Sequence, residues 1–296
     1  MIKNFIKRHN LEYYEEANLK RYNTYRLETI CKYLVFPNTK EELRDLVKYL
    51  NTKEEKYIVL GNGSNIIFKE DYYDGVIIIL NKLNKKTIDD DIIEVDAGYS
   101  LQKLALEVCS LGLSGLEFAC GIPGQIGASI AMNAGAYNNS LSEIVETVEV
   151  INPDYEFVTM RKEDLEFEYR DSLFKREKNY IIVSAKLKVE RGDKEEILEK
   201  ISKRRVKRIE TQPLDMPSAG SVFRNPPNMH AGALIEQSKL KGYNINGAEV
   251  SKKHANFIIN TGGAKGKDIV KLIEKVKTEV KKEFNVDLIL EQIIID

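Results

Sequence analysis

Two glycine-rich loops and one acidic residue are the parts of this chain whose types and spacing suit chemistry. The first loop, Gly61-Asn62-Gly63-Ser64-Asn65, follows the apolar run Tyr57-Ile-Val-Leu60. Glycines there let backbone N–H groups converge on a phosphate, and Ser64 and Asn65 add donors. It is not a dinucleotide fingerprint, because Ile66 stands where a third glycine belongs and no helical pattern begins. It also lacks the Lys-Ser/Thr ending of a nucleoside-triphosphate loop. Taken alone it reads equally as a glycine turn between strands. The second loop is Gly121-Ile122-Pro123-Gly124-Gln125-Ile126-Gly127-Ala128-Ser129, followed by Met132-Asn-Ala-Gly-Ala-Tyr137. Pro123 fixes one backbone angle, and so many small residues imply that something large packs against the backbone; tight turns are the plainer reading. Glu291 shares a face with Ile289, Ile293 and Ile295 if the C-terminal run is a strand. A carboxylate in that apolar row is desolvated and binds its proton more tightly, unless the row is a sheet rim open to water.

The elements that must position these residues alternate between strand and helix. Thr39 followed by Glu42 resembles a capping box and opens a helix over 41–50. Strands are expected at 57–60, 76–80 and 92–95, and Ser100 caps a helix through Leu101, Leu104, Ala105 and Val108. The passage from Gly112 to Tyr137 has too little periodicity to assign. Strands follow at 145–151 and 180–189. A charged helix over 193–210, with Ile197, Leu198, Ile201 and Ile209 on a narrow apolar side, is expected to link two domains. Turns fill Pro213 to Asn228. The clearest helix is Lys267 to Phe284, where Ile269, Leu272, Ile273, Val276, Val280 and Phe284 keep the helical period. An alternating strand from Asp287 to Ile295 ends the chain.

The bulk numbers narrow the function. With 296 residues, two domains are more natural than one. The 45 Lys plus Arg against 46 Asp plus Glu leave no basic footprint for nucleic acid, so an anionic ligand must be held by local groups. No apolar run approaches the ~20 residues of a membrane span, and the N-terminus lacks the apolar stretch of a secretory signal. A cytoplasmic protein is expected, with no membrane partner. Three cysteines, Cys31, Cys109 and Cys120, suit a reduced compartment without a disulfide framework. No Cys-His spacing suggests a metal.

The two loops, about sixty residues apart, resemble the FAD-binding domain of the vanillyl-alcohol oxidase and p-cresol methylhydroxylase (PCMH) superfamily. Within it the chain is similar to the UDP-N-acetylenolpyruvoylglucosamine reductase family. The segments that carry this are Tyr169-Arg-Asp-Ser172, Ser218-Ala-Gly-Ser-Val-Phe-Arg-Asn-Pro226, Ala231-Gly-Ala-Leu-Ile-Glu236, Leu240-Lys-Gly242 and Val250-Ser-Lys-Lys-His-Ala-Asn256. The compact spacing between Arg170 and Ser221 resembles the shorter subtype. The resemblance implies an α+β fold: an N-terminal extension at 1–22, a two-lobed PCMH-type FAD-binding domain at 23–192, and a smaller α+β substrate-binding domain at 193–296 whose final strand returns to the active site.

The same resemblance implies NADPH-dependent reduction of UDP-N-acetylglucosamine enolpyruvate to UDP-N-acetylmuramate through non-covalent FAD, by a monomer. That chemistry needs a cation at the substrate carboxylate and a nearby acid. By family match Arg170 is the cation, Ser221 the proton donor and Glu291 the third catalytic residue. Tyr169, Arg224 and Asn225 are expected to hold the UDP moiety. The FAD contacts fall on Gly61, Asn62, Gly63, Ser64, Asn65, Gly121, Ile122, Pro123, Gly124, Gly127 and Ala128. His230 and His254 are expected to be structural or capping residues, and Cys120 a small buried one. The chain departs from the family where Thr24-Tyr-Arg-Leu-Glu28-Thr29 lacks a usual Gly-Gly pair, and where Ala128 and Asn138 replace common glycines. A flavin oxidase acting on another substrate and a flavin-binding regulatory module are the rival readings.

Overall fold

The computed structural model describes residues 2–296, a mixed α+β chain that divides into two units. The first comprises residues through Glu15, Tyr33–Gly61 and Gly75–Arg205. Its main sheet runs Phe157–Arg161, Val145–Ile151, Ile181–Lys188, Ile92–Asp96, Lys86–Asp89, and every neighbouring pair is antiparallel. The strand Val145–Ile151, second in that order, explains itself: Val145, Val148, Val150 and Ile151 are buried, and β-branched side chains suit a pleated surface. Tyr57–Leu60 pairs in parallel with the end of Tyr72–Ile79, from Tyr57↔Val76 to Leu60↔Ile79.

Local capping sets the helices of this unit. The Thr39 hydroxyl accepts from the Glu42 amide (3.1 Å) and starts helix Lys40–Thr52, which buries Leu43, Leu46, Val47 and Leu50. The Glu42 carboxylate reaches Asn38 rather than the cap residue, so only half of the expected capping box forms. Ser100 accepts from the Lys103 amide and starts helix Leu101–Ser110, whose Leu101, Leu104, Ala105 and Val108 face the core. The unassigned passage holds a 3-10 turn, Ala119–Gly121, and a six-residue helix, Ile126–Ala131, too short to display a period.

The second unit comprises Glu16–Lys32, Asn62–Asp74 and Val206–Asp296. It has its own hydrophobic core, in which helix Gly266–Phe284 contributes Ile269, Leu272, Ile273, Val276 and Val280. The buried Asp268 carboxylate accepts from the Lys265 amide (3.1 Å) and from Asn246 (3.0 Å), anchoring the helix start. Asn285, left-handed at φ 56°, ends it. A small antiparallel sheet, Asn244–Ile245, Ala248–Val250 and Ile258–Asn260, completes the packing.

Two elements differ from expectation. Helix Lys194–Thr211 forms, but of the four apolar residues expected to line one side only Ile197 is buried, and Leu198 and Ile209 are exposed. The division of the chain falls inside it, between Arg205 and Val206. The C-terminal run is a strand only over Ile293–Ile295, paired in parallel with Ile66–Phe68. Its earlier residues bond instead to the segment 222–224, and the buried row is the opposite one: Leu288 and Gln292 are buried, whereas Ile289 is 62% and Ile293 38% exposed. Glu291 is therefore half-buried beside mostly exposed neighbours rather than inside an apolar face.

Candidate active site

In the first unit Gly61 and the Gly121–Ala128 loop, both expected to contact FAD, are brought together. A Cβ on Gly61 would lie 2.7 Å from the Ala128 methyl, so Ala128, which replaces a common glycine, packs directly on Gly61. Gly127 rests on Ala97 in the same way (2.8 Å), and its amide donates to the Ala97 carbonyl. The Leu101 amide bonds the Gly124 carbonyl and the Ile126 amide bonds the Tyr99 carbonyl, which fixes the loop to the turn between strand Ile92–Asp96 and helix Leu101–Ser110. Gly121, Ile122 and Gly124 are half-buried, and Pro123 and Ala128 are exposed. The amides of Gly124 and Ala128 have no partner within the described residues, so both are available to an anion.

Tyr169 and Arg170 occupy the tip of a tight turn in the same unit. The Glu168 and Asp171 amides each donate to the other residue's carbonyl (3.1 and 3.2 Å), and Arg170 is left-handed at φ 57°. Three bonds hold the turn against the end of helix Ile126–Ala131. Asn133 Nδ2 donates to the Glu168 carbonyl (2.8 Å), the Ser172 hydroxyl to Ala131 (2.7 Å), and the Arg170 guanidinium to Gly135 (2.5 Å). The guanidinium also lies over the Tyr169 ring, 5.1 Å from its centroid. Asn133 is the hub of this arrangement: buried, it also accepts the Ser142 amide (3.0 Å). Its place in a run of small residues hides that role from the sequence.

In the second unit Asn62, Gly63, Ser64 and Asn65 form the other half of the first loop. Gly63 is obligatory there: φ is 61°, and a Cβ would lie 2.1 Å from the Tyr22 carbonyl. Thr24 donates its amide to the Gly63 carbonyl (3.1 Å), while the amides of Asn62 and Gly63 have no partner within the described residues. Ser221 and Glu291 belong to neighbouring backbone segments. The Glu291 amide donates to Val222 (2.8 Å), the Arg224 amide to Ile289 (2.9 Å), and Asn65 Nδ2 to the Glu291 carbonyl (3.1 Å). Ser221 also bridges to Phe257 on its other edge. Asn225 accepts the Ala231 amide (3.1 Å), capping helix Ala231–Gln237 with its oxygen and leaving its amino group for a ligand. Two polar residues that the sequence reading passed over, Asn256 and Gln292, are buried beside Ser221; the available signal was a carboxamide inside an apolar run.

Cys31 and Cys109 are buried and His254 packs edge-on against Phe257, whereas His230 is exposed. His230 precedes helix Ala231–Gln237 without capping it by its side chain. His254 accepts the Asn256 amide at Nδ1 (3.3 Å), and burial, then Lys241, hold it below the ordinary imidazole value. Cys120 is half-buried, and its contact with the Cys109 thiol holds it below the usual thiol value and Cys109 above it. A cavity of about 480 Å³ in the second unit is lined by Arg26, Glu28, Thr29, Asp71, Asn260 and Lys265 among others. Glu28 and Thr29, where the resemblance leads one to expect a Gly-Gly pair, form part of that wall, and none of the residues expected to serve catalysis or binding does.

Residues 31–161 match the FAD binding domain family, and residues 212–295 match the family described as UDP-N-acetylenolpyruvoylglucosamine reductase, C-terminal domain. A UDP-N-acetylenolpyruvoylglucosamine reductase from Caldanaerobacter subterraneus subsp. tengcongensis is 40% identical over 278 residues, 94% of this chain and 92% of that protein. The corresponding protein of Carboxydothermus hydrogenoformans is 41% identical over 278 residues, with the same coverage of 94% and 92%. The crystal structure of the reductase from Thermus caldophilus superposes with a TM-score of 0.82 at 34% identity, covering 97% of this chain and 99% of that one. No helix among the described residues is long and apolar enough to cross a membrane. From both domain matches, in order, and from identity along nearly the whole length, the chain belongs to the UDP-N-acetylenolpyruvoylglucosamine reductase family, FAD-dependent oxidoreductases of peptidoglycan precursor synthesis.

Proposed function

We propose that Arg170, Ser221 and Glu291 carry the family's reaction in this chain, the reduction of UDP-N-acetylglucosamine enolpyruvate to UDP-N-acetylmuramate with NADPH as hydride donor. The observation that supports this best is the pairing of the Ser221 and Glu291 segments through the Glu291 amide and the Val222 carbonyl (2.8 Å). The loops 61–65 and 121–128 would hold FAD, and within each unit unpartnered amides, those of Asn62 and Gly63 in one and those of Gly124 and Ala128 in the other, suit phosphate oxygens. When bound, FAD supplies the hydride that NADPH gives it.

The residues supply orientation and charge. The Arg170 guanidinium, shaped for bidentate contact, holds the substrate carboxylate and stabilises charge accumulating there. The Ser221 hydroxyl delivers a proton to the carbon beside that carboxylate and regains one from water, and Glu291 is the third catalytic group, held on the adjoining segment. Tyr169, Arg224 and the amino group of Asn225 bind the uridine diphosphate. We read 1–22 as an extension, 23–192 as the FAD domain and 193–296 as the substrate domain of a monomer acting in the cytoplasm, where NADPH is available.

The test is anaerobic and separates the half-reactions. NADPH should bleach the flavin of the purified protein, and the enolpyruvyl sugar nucleotide should reoxidise it; a reduced flavin left unchanged by that substrate refutes the reading. Ser221→Ala should leave flavin reduction intact and slow reoxidation about 10²–10⁴-fold. Equal slowing of both steps removes Ser221 from the proton-donor role.

A further inference from the structure

Gln292 is a carboxamide in the buried row of the C-terminal segment, 3% exposed. Such a group is tolerated only where its polar atoms are partnered, and both ends of this one are. Its Oε1 accepts from the Tyr25 hydroxyl (3.0 Å). Its Nε2 lies 3.0, 3.3 and 3.5 Å from the carbonyl oxygens of Ala219, Gly220 and Ser221. The orientation of the amide is forced, because carbonyls only accept and must face the amino group. Tyr25 is fully buried, which pushes its phenol well above the ordinary value and keeps the hydroxyl protonated as a donor. Tyr25 is itself fixed by Asn260, whose Nδ2 donates to its carbonyl (2.9 Å).

The peptides that Gln292 holds lie on either side of a glycine that precedes Ser221. Gly220 is left-handed at φ 73°, and no atom lies within 4 Å of where its Cβ would be. No side chain therefore locks the backbone just before Ser221. Immediately after Ser221, the Val222 amide donates to Asn256 (2.9 Å) and the Val222 carbonyl accepts from Glu291 (2.8 Å). The C-terminal side of the serine is thus held by backbone ladder bonds, and on the N-terminal side the Gln292 carboxamide adds to the bridge from Ser221 to Phe257 and to the backbone bond from Asn260 to Pro217.

We propose that Gln292, oriented by Tyr25, is a positioning residue that fixes the Gly220–Ser221 backbone and so the direction in which the Ser221 hydroxyl delivers its proton. This rests on the reading of Ser221 as proton donor. A misplacement of about 1 Å at a reacting group costs on the order of 10²-fold in rate. Purely structural damage would instead weaken flavin retention or slow both half-reactions together.

The experiment uses the FAD-loaded full chain in stopped flow, with Gln292→Leu, Tyr25→Phe, the double variant and Ser221→Ala beside the parent protein. Gln292→Leu should be reduced by NADPH at the parent rate and reoxidised by the enolpyruvyl sugar nucleotide about 10–100-fold more slowly. Tyr25→Phe keeps the ring and removes only the hydroxyl, so it should slow the same step about 3–10-fold; the double variant should match Gln292→Leu alone. If Gln292→Leu fails to fold, the near-isosteric Tyr25→Phe carries the same test. Unchanged reoxidation, equal slowing of both steps, or losses that multiply in the double variant overturn the proposal. If Ser221→Ala reoxidises as fast as the parent, the proton-donor reading itself fails. A slow Ser221→Ala beside a fast Gln292→Leu overturns the positioning role alone.

Discussion

Asn256→Leu tests how the strand that carries Ser221 is held. Segment 221–224 bonds to residues 289–291 on one edge, and on its other edge Ser221 bridges to Phe257. At Phe223 the partner chain has already turned away, and the Asn256 side chain takes the place of the next rung. The Phe223 amide donates to Asn256 Oδ1 (3.0 Å), and Asn256 Nδ2 donates to the Phe223 carbonyl (2.8 Å). Both residues are buried, at 4% and 2% exposure, so water cannot replace either bond. Leucine has a similar volume and leaves little cavity. The two unsatisfied backbone groups cost about 1–3 kcal/mol each and burial of the leucine side chain returns about 1–2 kcal/mol, so the net loss centres on about 2.5 kcal/mol within a range of about 0–5 kcal/mol. Against a typical total of about 5–15 kcal/mol this is a large effect. Denaturant unfolding followed by circular dichroism should show the lower midpoint, and hydrogen exchange should show the Phe223 amide losing protection. A loss below about 0.5 kcal/mol with that amide still protected would refute the reasoning.

Two further perturbations follow from particular contacts. Gly61→Ala places a methyl 2.7 Å from the Ala128 methyl, an overpacking that should cost about 1–3 kcal/mol and lower the flavin retained per chain after gel filtration. Adding Ala128→Gly should restore both, and a double variant no better than the single one would exclude that contact as the cause. Glu117, 6% exposed, is penalised by burial, but bonds from its own amide, the Gly115 amide and Ser114, together with the Lys200 charge, outweigh that and hold its carboxyl below the usual range. Its stabilising contribution is complete above the unfolded value of about 4.3 and is lost as the pH falls through the lower folded value. Glu117→Gln should therefore be less stable by roughly 1–3 kcal/mol at neutral pH, with the gap closing below about pH 4; a gap independent of pH refutes the ion-pair account.

What the chain discloses by itself is whatever depends on near neighbours in sequence. Helix Gly266–Phe284 follows from its apolar spacing, and helices Lys40–Thr52 and Leu101–Ser110 from Thr39 and Ser100 at their starts. The strand Val145–Ile151 follows from its β-branched run, and the ordered glycine loops with Tyr169–Ser172 and Ser218–Pro226 lead to the family. The Gly121–Ala128 passage was legible only as composition, because a six-residue helix is too short to show a period.

The C-terminal segment was decided elsewhere. Alternation in sequence says that residues 289, 291, 293 and 295 share a face, but not which face is buried. The pairing partners choose, and segment 222–224 followed by Ile66–Phe68 buries Leu288 and Gln292 while leaving Ile289 outside. The same holds for the carboxamides of Asn133, Asn256 and Gln292, whose partners lie far along the chain. Tyr25 and Gln292 are separated by 267 positions, a distance across which no local pattern carries information. Only the folded backbone brings a phenol, a carboxamide and three carbonyls together beside Ser221, because a buried polar group must find its partners wherever the packing places them.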